Sequence, residues 1–134
     1  MVEASVAMAW GFPDEGSEYA VAVLLRLERE SMLVPALFAL EDANALVMGE
    51  RRKGLRQAEI QRFVDLLEGL PMVQDVQPRN VMMNAALAIA REHGLSAYDA
   101  AYLELAIRAD APLATLDKAL RAAARTAGVT VYAH

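Results

Sequence analysis

The chain has 134 residues of which 56% are apolar, enough to close one hydrophobic core, so a single domain over 1–134 is expected. No apolar run reaches the ~18 residues that cross a bilayer and the start carries no secretion-signal pattern, so a cytoplasmic protein without a membrane span is expected. A net charge of -5 excludes a protein that envelops nucleic acid by overall charge, and the absence of cysteine leaves oxygen atoms, His93 and His134 as the ligands for any metal.

Residues 17–30 place Ala20, Val23, Leu24 and Leu27 on one face and Arg26, Arg29 and Glu30 opposite, which predicts an amphipathic helix. Met32-Leu33-Val34 ends at Pro35 and reads as a buried strand, after which 36–48 resumes helical spacing until Gly54 breaks it. A helix over 57–68 follows, and Gly69 and Pro71 lead to the strand residues Met72-Val73 and Asp75-Val76. Residues 78–92 read as a helix closed by Gly94, and Ser96 caps a further helix over 97–109. Pro112 introduces Leu113-Ala114-Thr115-Leu116, expected as a central strand, then 117–126 is helical and Val129-Thr130-Val131-Tyr132 is a terminal β-branched run. Helices alternating with short apolar strands predict a parallel sheet covered on both faces.

In such a sheet, ligands bind beyond the carboxyl ends of the strands, so acids at strand exits carry the most information. Glu3 follows the apolar Met1-Val2, and Asp117 follows Leu116. Each has a plain alternative, a solvated terminus for Glu3 and a helix N-cap for Asp117. Asp99 sits near a helix start among Tyr98, Ala100, Ala101 and Tyr102, either as a satisfied first-turn residue or as a ligand. Glu41 interrupts an apolar helix and needs an arginine, a hydrogen-bond donor or a cation; spacing alone favours a structural partner.

The segments EASVAMAWGFPDE, LVPALFALEDANAL, LSAYDAAYLELAIRADAPLATLDKAL and AGVTVY, in that order, resemble PIN-domain proteins of the VapC class over nearly the whole chain. YDAAYLELA followed by PLATLD is the most specific part. The resemblance implies a three-layer α/β/α sandwich with a short central parallel sheet, and a pocket where Glu3, Glu41, Asp99 and Asp117 hold Mg²⁺ or Mn²⁺. Ser5, Asn44 and Thr115 match flanking positions that would orient a ligand or water, although each equally suits a local backbone bond. The implied activity is that of an endoribonuclease toxin cutting RNA phosphodiesters. The implied partners are a second copy of the chain and a VapB-type antitoxin that reaches into the acidic pocket with an arginine.

One departure from the family pattern is Glu3, where an aspartate after a longer strand is usual. The extra methylene shifts the carboxylate by about one carbon–carbon bond, against the octahedral geometry at ~2.0–2.1 Å that Mg²⁺ demands. A tolerated variant, an engineered weakening and a clipped start all remain open. So does a second reading, a catalytically weakened or inactive PIN-fold module that binds RNA or protein. A phosphoacceptor receiver domain is disfavoured, because residues 129–134 supply no lysine.

Arg51-Arg52-Lys53, with Arg56 beyond, would touch RNA phosphates or simply complement a helix C-terminus. Trp10 and Phe12 are expected in the core or a dimer contact rather than stacked on bases. His93 reads as a helix-end dipole partner, and Met72, Met82 and Met83 as gap-fillers in a core or interface.

Overall fold

The computed structural model describes residues 1–12 and 17–132, so Pro13, Asp14 and Glu15 of the first quoted segment, and His134, fall outside the described residues. The described elements are α1 (Ala4–Gly11), α2 (Ser17–Arg26), β1 (Met32–Pro35), α3 (Phe38–Lys53), α4 (Gln57–Glu68), β2 (Met72–Asp75), α5 (Arg79–His93), α6 (Ala97–Arg108) and α7 (Lys118–Thr126). Left-handed glycines end two of the helices, Gly54 after α3 and Gly94 after α5, both with φ 66°.

β1 and β2 pair in parallel from Met32 opposite Met72 to Pro35 opposite Asp75. On the other side of β1 the Val2 amide donates to the Leu33 carbonyl at 3.3 Å. Val2 bridges Ala114 in parallel, and Leu113 bridges Val131 in the same sense. Taken in space, the extended segments run β2, β1, the chain start, the Leu113–Ala114 bridge and Val131, which is third, second, first, fourth, fifth in chain order. Order reverses between the first and fourth segments, and a doubly wound sheet opens its ligand crevice at that switch point. Glu3 and Thr115 leave the sheet there. Helices cover both faces, giving a three-layer α/β/α sandwich about a short parallel sheet.

The core is centred on α6, whose Tyr102, Leu103, Leu105 and Ala106 are almost fully buried with Val2, Val6, Met32, Leu113 and Leu120. Side chains of this size stabilise by about 1.5–3 kcal/mol each when buried, so the residues that carry the site rest on the best-packed element. At the far end of α6, Arg108 donates to both Asp75 oxygens, at 3.1 and 2.6 Å, and ties the edge strand β2 to that helix.

Three expectations need correction. The segment 113–116 is not a full strand: only Leu113 and Ala114 pair, because the Leu116 amide turns to the Ser5 hydroxyl at 3.0 Å instead of to a neighbouring strand. The terminal run pairs only at Val131. The helix expected over 17–30 ends at Arg26, where tighter bonds such as Leu27 amide to Leu24 carbonyl take over, though its stripe of Ala20, Val23 and Leu27 is buried as expected. Met72 and Met83 are 38% and 64% exposed, so of the two places expected for them, core or interface, the core is not where they lie. No described helix is long and apolar enough to cross a membrane.

Candidate active site

Glu3 is the last extended residue before α1, in the N-cap position with φ -89° and ψ 153°, but its side chain does not cap the helix. It turns inward and is 6% exposed, so it is no solvated terminus. Its Oε2 accepts hydrogen bonds from the Ser5 hydroxyl and from Thr115 Oγ1, the latter at 2.9 Å. Each hydroxyl spends its proton on Glu3 and accepts a backbone amide with a lone pair, Ser5 from Leu116 and Thr115 from Asp117, both at 3.0 Å. The two alternatives weighed for Ser5 and Thr115 therefore coincide: the same atoms satisfy the 115–117 backbone and orient the carboxylate.

Asp117 is exposed and caps α7, its Oδ1 accepting the Leu120 amide at 2.8 Å. Among the described hydrogen bonds only this oxygen is engaged. Asp99 lies in the first turn of α6, and its amide donates to the Ser96 cap hydroxyl at 3.1 Å. Burial raises its pKa, and the charges of Asp117 and Glu3 raise it further.

Glu41 enters from the first turn of α3. Burial pushes its carboxyl upward, Glu3 and Asp99 add to the shift, and the Tyr102 hydroxyl opposes it. No hydrogen bond of regular geometry closes between Tyr102 and Glu41: Glu41 Oε1 and the Tyr102 hydroxyl are both buried without a partner. Among the described residues no arginine or lysine pairs with Glu41, so of the structural partners weighed for it the Tyr102 hydroxyl is the one at hand.

The chain start, α3, α6 and the turn before α7 thus bring four acids to one end of the sheet, where the charges of Glu3 and Asp99 raise the Glu41 pKa and those of Asp117 and Glu3 raise that of Asp99. Among the described residues no three acidic or histidine side chains close into a finished ligand set. The donor chemistry nonetheless suits a hard divalent cation: all oxygen, mutually repelling, with one buried carboxylate oxygen unsatisfied.

Asp42 was missed by the sequence reading. It is 3% exposed, both its oxygens lack partners, and burial, then the charges of Glu41 and Glu3, push its pKa up to about 7. The signal was present, since Phe38, Asp42 and Leu46 share the buried face of α3 at four-residue spacing. Asn44, by contrast, is exposed and makes no hydrogen bond to the acids among the described residues. Arg51, Arg52 and Lys53 form the last turn of α3, while Arg56 is held by Glu59 at 3.0 Å. Trp10 donates to the Ala20 carbonyl at 2.7 Å, and the Phe12 ring lies 5.5 Å from that of Phe63, so both serve packing. His93 lies in the last turn of α5 as expected.

Two predictions follow from the buried polar groups. Asp42 has a reference value of 3.8 and titrates at about 7 in the fold, so the folded protein holds this proton more tightly. Its contribution to stability is complete below about pH 4 and is lost as pH rises toward 7, by up to about 4 kcal/mol at ~1.4 kcal/mol per unit. The melting-temperature advantage of Asp42→Asn over the parent chain is expected to widen from pH 4 to pH 8; a constant difference contradicts this. Thr115→Val removes the hydroxyl that serves both Glu3 and the Asp117 amide, and is expected to cost about 1–3 kcal/mol in denaturant unfolding. Thr115→Ser should keep most of that stability, and equal losses in both would refute the role of the hydroxyl.

Comparison with known proteins shows the family and the fold. The PIN domain family pattern matches residues 1–126. Ribonuclease VapC3 of Pyrobaculum aerophilum is 33% identical over 120 residues, 90% of each chain. The crystal structure of PAE2754 from Pyrobaculum aerophilum matches with a TM-score of 0.67 and 26% identity, over 91% of this chain and 82% of that one. The chain belongs to the PIN-domain family and is of the VapC type.

Proposed function

We propose that this chain is a divalent-cation-dependent endoribonuclease, the toxin of a VapBC-type pair, with Glu3, Glu41, Asp99 and Asp117 holding Mg²⁺ or Mn²⁺. The observation that carries the proposal is Glu41: a partly buried carboxylate with an unsatisfied oxygen, set against Glu3 and Asp99 with no basic residue to pair it among the described residues. The ribonuclease name of the 33% identical relative supports the same reading.

A bound cation would activate a water molecule and offset charge on the phosphoryl and leaving oxygens. The chain's own groups prepare that chemistry. Ser5 and Thr115 fix the Glu3 carboxylate, and the Leu120 amide fixes one oxygen of Asp117, leaving the other free of a described hydrogen bond. Asp99 stands where the N-terminus of α6 favours negative charge. Fixed carboxylates lose less entropy on gripping a cation than mobile ones, and the extra methylene of Glu3 is taken up inside a built set of hydrogen bonds. That burial and bonding favour the active reading over the weakened binding module.

The acidic pocket also suits inhibition by an arginine of a VapB-type antitoxin, because a guanidinium binds carboxylates through two parallel hydrogen bonds. Exposed Met72, Val73 and Val76 at the sheet edge, with Val81, Met83 and Leu87 on α5, support self-association into a homodimer.

The test is cleavage of single-stranded RNA by the pure protein with Mg²⁺ or Mn²⁺. Activity is expected to vanish with a chelator and to fall about 100-fold or more in Asp99→Asn, beyond the ~10–100-fold typical of groups that only support a ligand. Equal activity of the two proteins would refute the assignment.

A further inference from the structure

α1 begins directly after Glu3, the first turn of α3 carries Glu41, and the two helices pack against each other. Between them lies an open groove of about 330 Å³. That lies within the ~300–1,000 Å³ of small-ligand sites. Its α1 wall is Ser5, Met8, Ala9 and Phe12, a single helical stripe at spacings of three, four and seven. The facing α3 wall repeats the spacing, with the small Ala45, with Gly49 letting the Leu55 side chain pack against the helix, with Met48 giving a polarisable apolar surface and with Arg52 at the outer end beside Lys53.

Chemistry changes along this groove in a definite order. The inner end is Ser5, whose hydroxyl is bonded to Glu3. The middle is apolar and sulfur-rich. The outer end carries two cations about 16 Å along α3 from Glu41, at ~1.5 Å per residue. Neither Arg52 nor Lys53 belongs to an ion pair among the described residues, although the chain carries a net charge of -5. Arg56, nearby, is already spent on Glu59. Arg51 is on the same turn but does not line the groove.

We infer that the α1/α3 groove is a nucleotide subsite for single-stranded RNA, seating a base between Met8 and Met48 and a neighbouring phosphate on Arg52 and Lys53. An apolar slot bounded at one end by Ser5, whose hydroxyl bonds to Glu3, and at the other by cations without an ion pair among the described residues matches a strand of alternating bases and phosphates. The inference deepens the ribonuclease reading and rests on it. It also makes the groove, rather than the acids, the part that selects which base stands beside the cut.

The experiment measures binding of labelled single-stranded RNA oligonucleotides to the full chain carrying Asp99→Asn, so that the RNA stays uncut, across a salt series. Arg52→Ala and Lys53→Ala are each expected to lower affinity about fivefold near 0.1 M salt. Each should reduce the slope of log K against log salt by about 0.7, the single-strand value for one phosphate. Arg51→Ala, the same charge change one residue away, should alter neither. Met48→Ala should redistribute affinity among oligonucleotides that differ at one base and leave the slope intact. All of these side chains except Met48 are exposed, so unchanged melting temperatures serve as the folding control. Equal losses at Arg51, Arg52 and Lys53 would mean diffuse attraction and would overturn the inference. Unchanged RNA affinity in Arg52→Ala and Lys53→Ala, with the parent chain still cleaving RNA, would overturn the groove and leave the ribonuclease reading standing. A changed oligomeric state in Met48→Arg with RNA affinity untouched would assign the groove to a second copy and overturn it as well.

Discussion

Carboxylates gathered where water is scarce repel one another, and each makes its neighbours hold protons more tightly. Glu41 and Asp99 show both effects at the end of this small sheet, with burial as the larger cause and the acids across from them as the second. A fold that places such groups together must supply something to hold them there. Here the supply is local and specific. Two hydroxyls grip Glu3, the Leu120 amide of α7 grips Asp117, and the start of α6 carries Asp99. Glu41 is left without an equivalent, and its unsatisfied oxygen is the point at which a cation offers the most.

The surrounding architecture serves this crowding. The strand order reverses between the chain start and the Leu113–Ala114 bridge, and the crevice that opens there receives Glu3 from one side and the Thr115–Asp117 turn from the other. Ser5 and Thr115 stitch these two exits together, because each hydroxyl bonds at once to Glu3 and to the opposing or adjacent backbone. α6 brings Asp99 on the same helix face as the fully buried Tyr102, three residues later, so the position of that acid is tied to the packing of the core. The same helix anchors the sheet edge through Arg108 and Asp75, whose carboxyl the guanidinium holds below its usual value.

Much of this was legible in the residues because several signals agreed locally. Gly54, Gly94 and Ser96 marked helix ends that the structure retains, and the helix over 57–68 stands as expected. α1 escaped because Ala4, Val6, Ala7 and Ala9 are all buried, leaving no polar face to reveal a helical period. The segment 113–116 was read as too long a strand because apolar character says nothing about where each amide goes, and Leu116 gives its amide to a side chain from the far end of the sequence. Asp42 is legible through its spacing with Phe38 and Leu46, but two adjacent acids in one apolar helix do not reveal by residue type which of them faces the core. Asn44, one helical turn after Glu41 on α3, is exposed and makes no hydrogen bond to the acids among the described residues.

The most direct measurement is a crystal of the protein grown with Mn²⁺ and examined by anomalous diffraction at the manganese edge. The proposal requires a peak bounded by Glu3, Glu41 and Asp99, with the Glu41 oxygen that is now unpartnered among its ligands. Strong manganese density elsewhere on the molecule, with these carboxylates unmoved and unbridged, would contradict it.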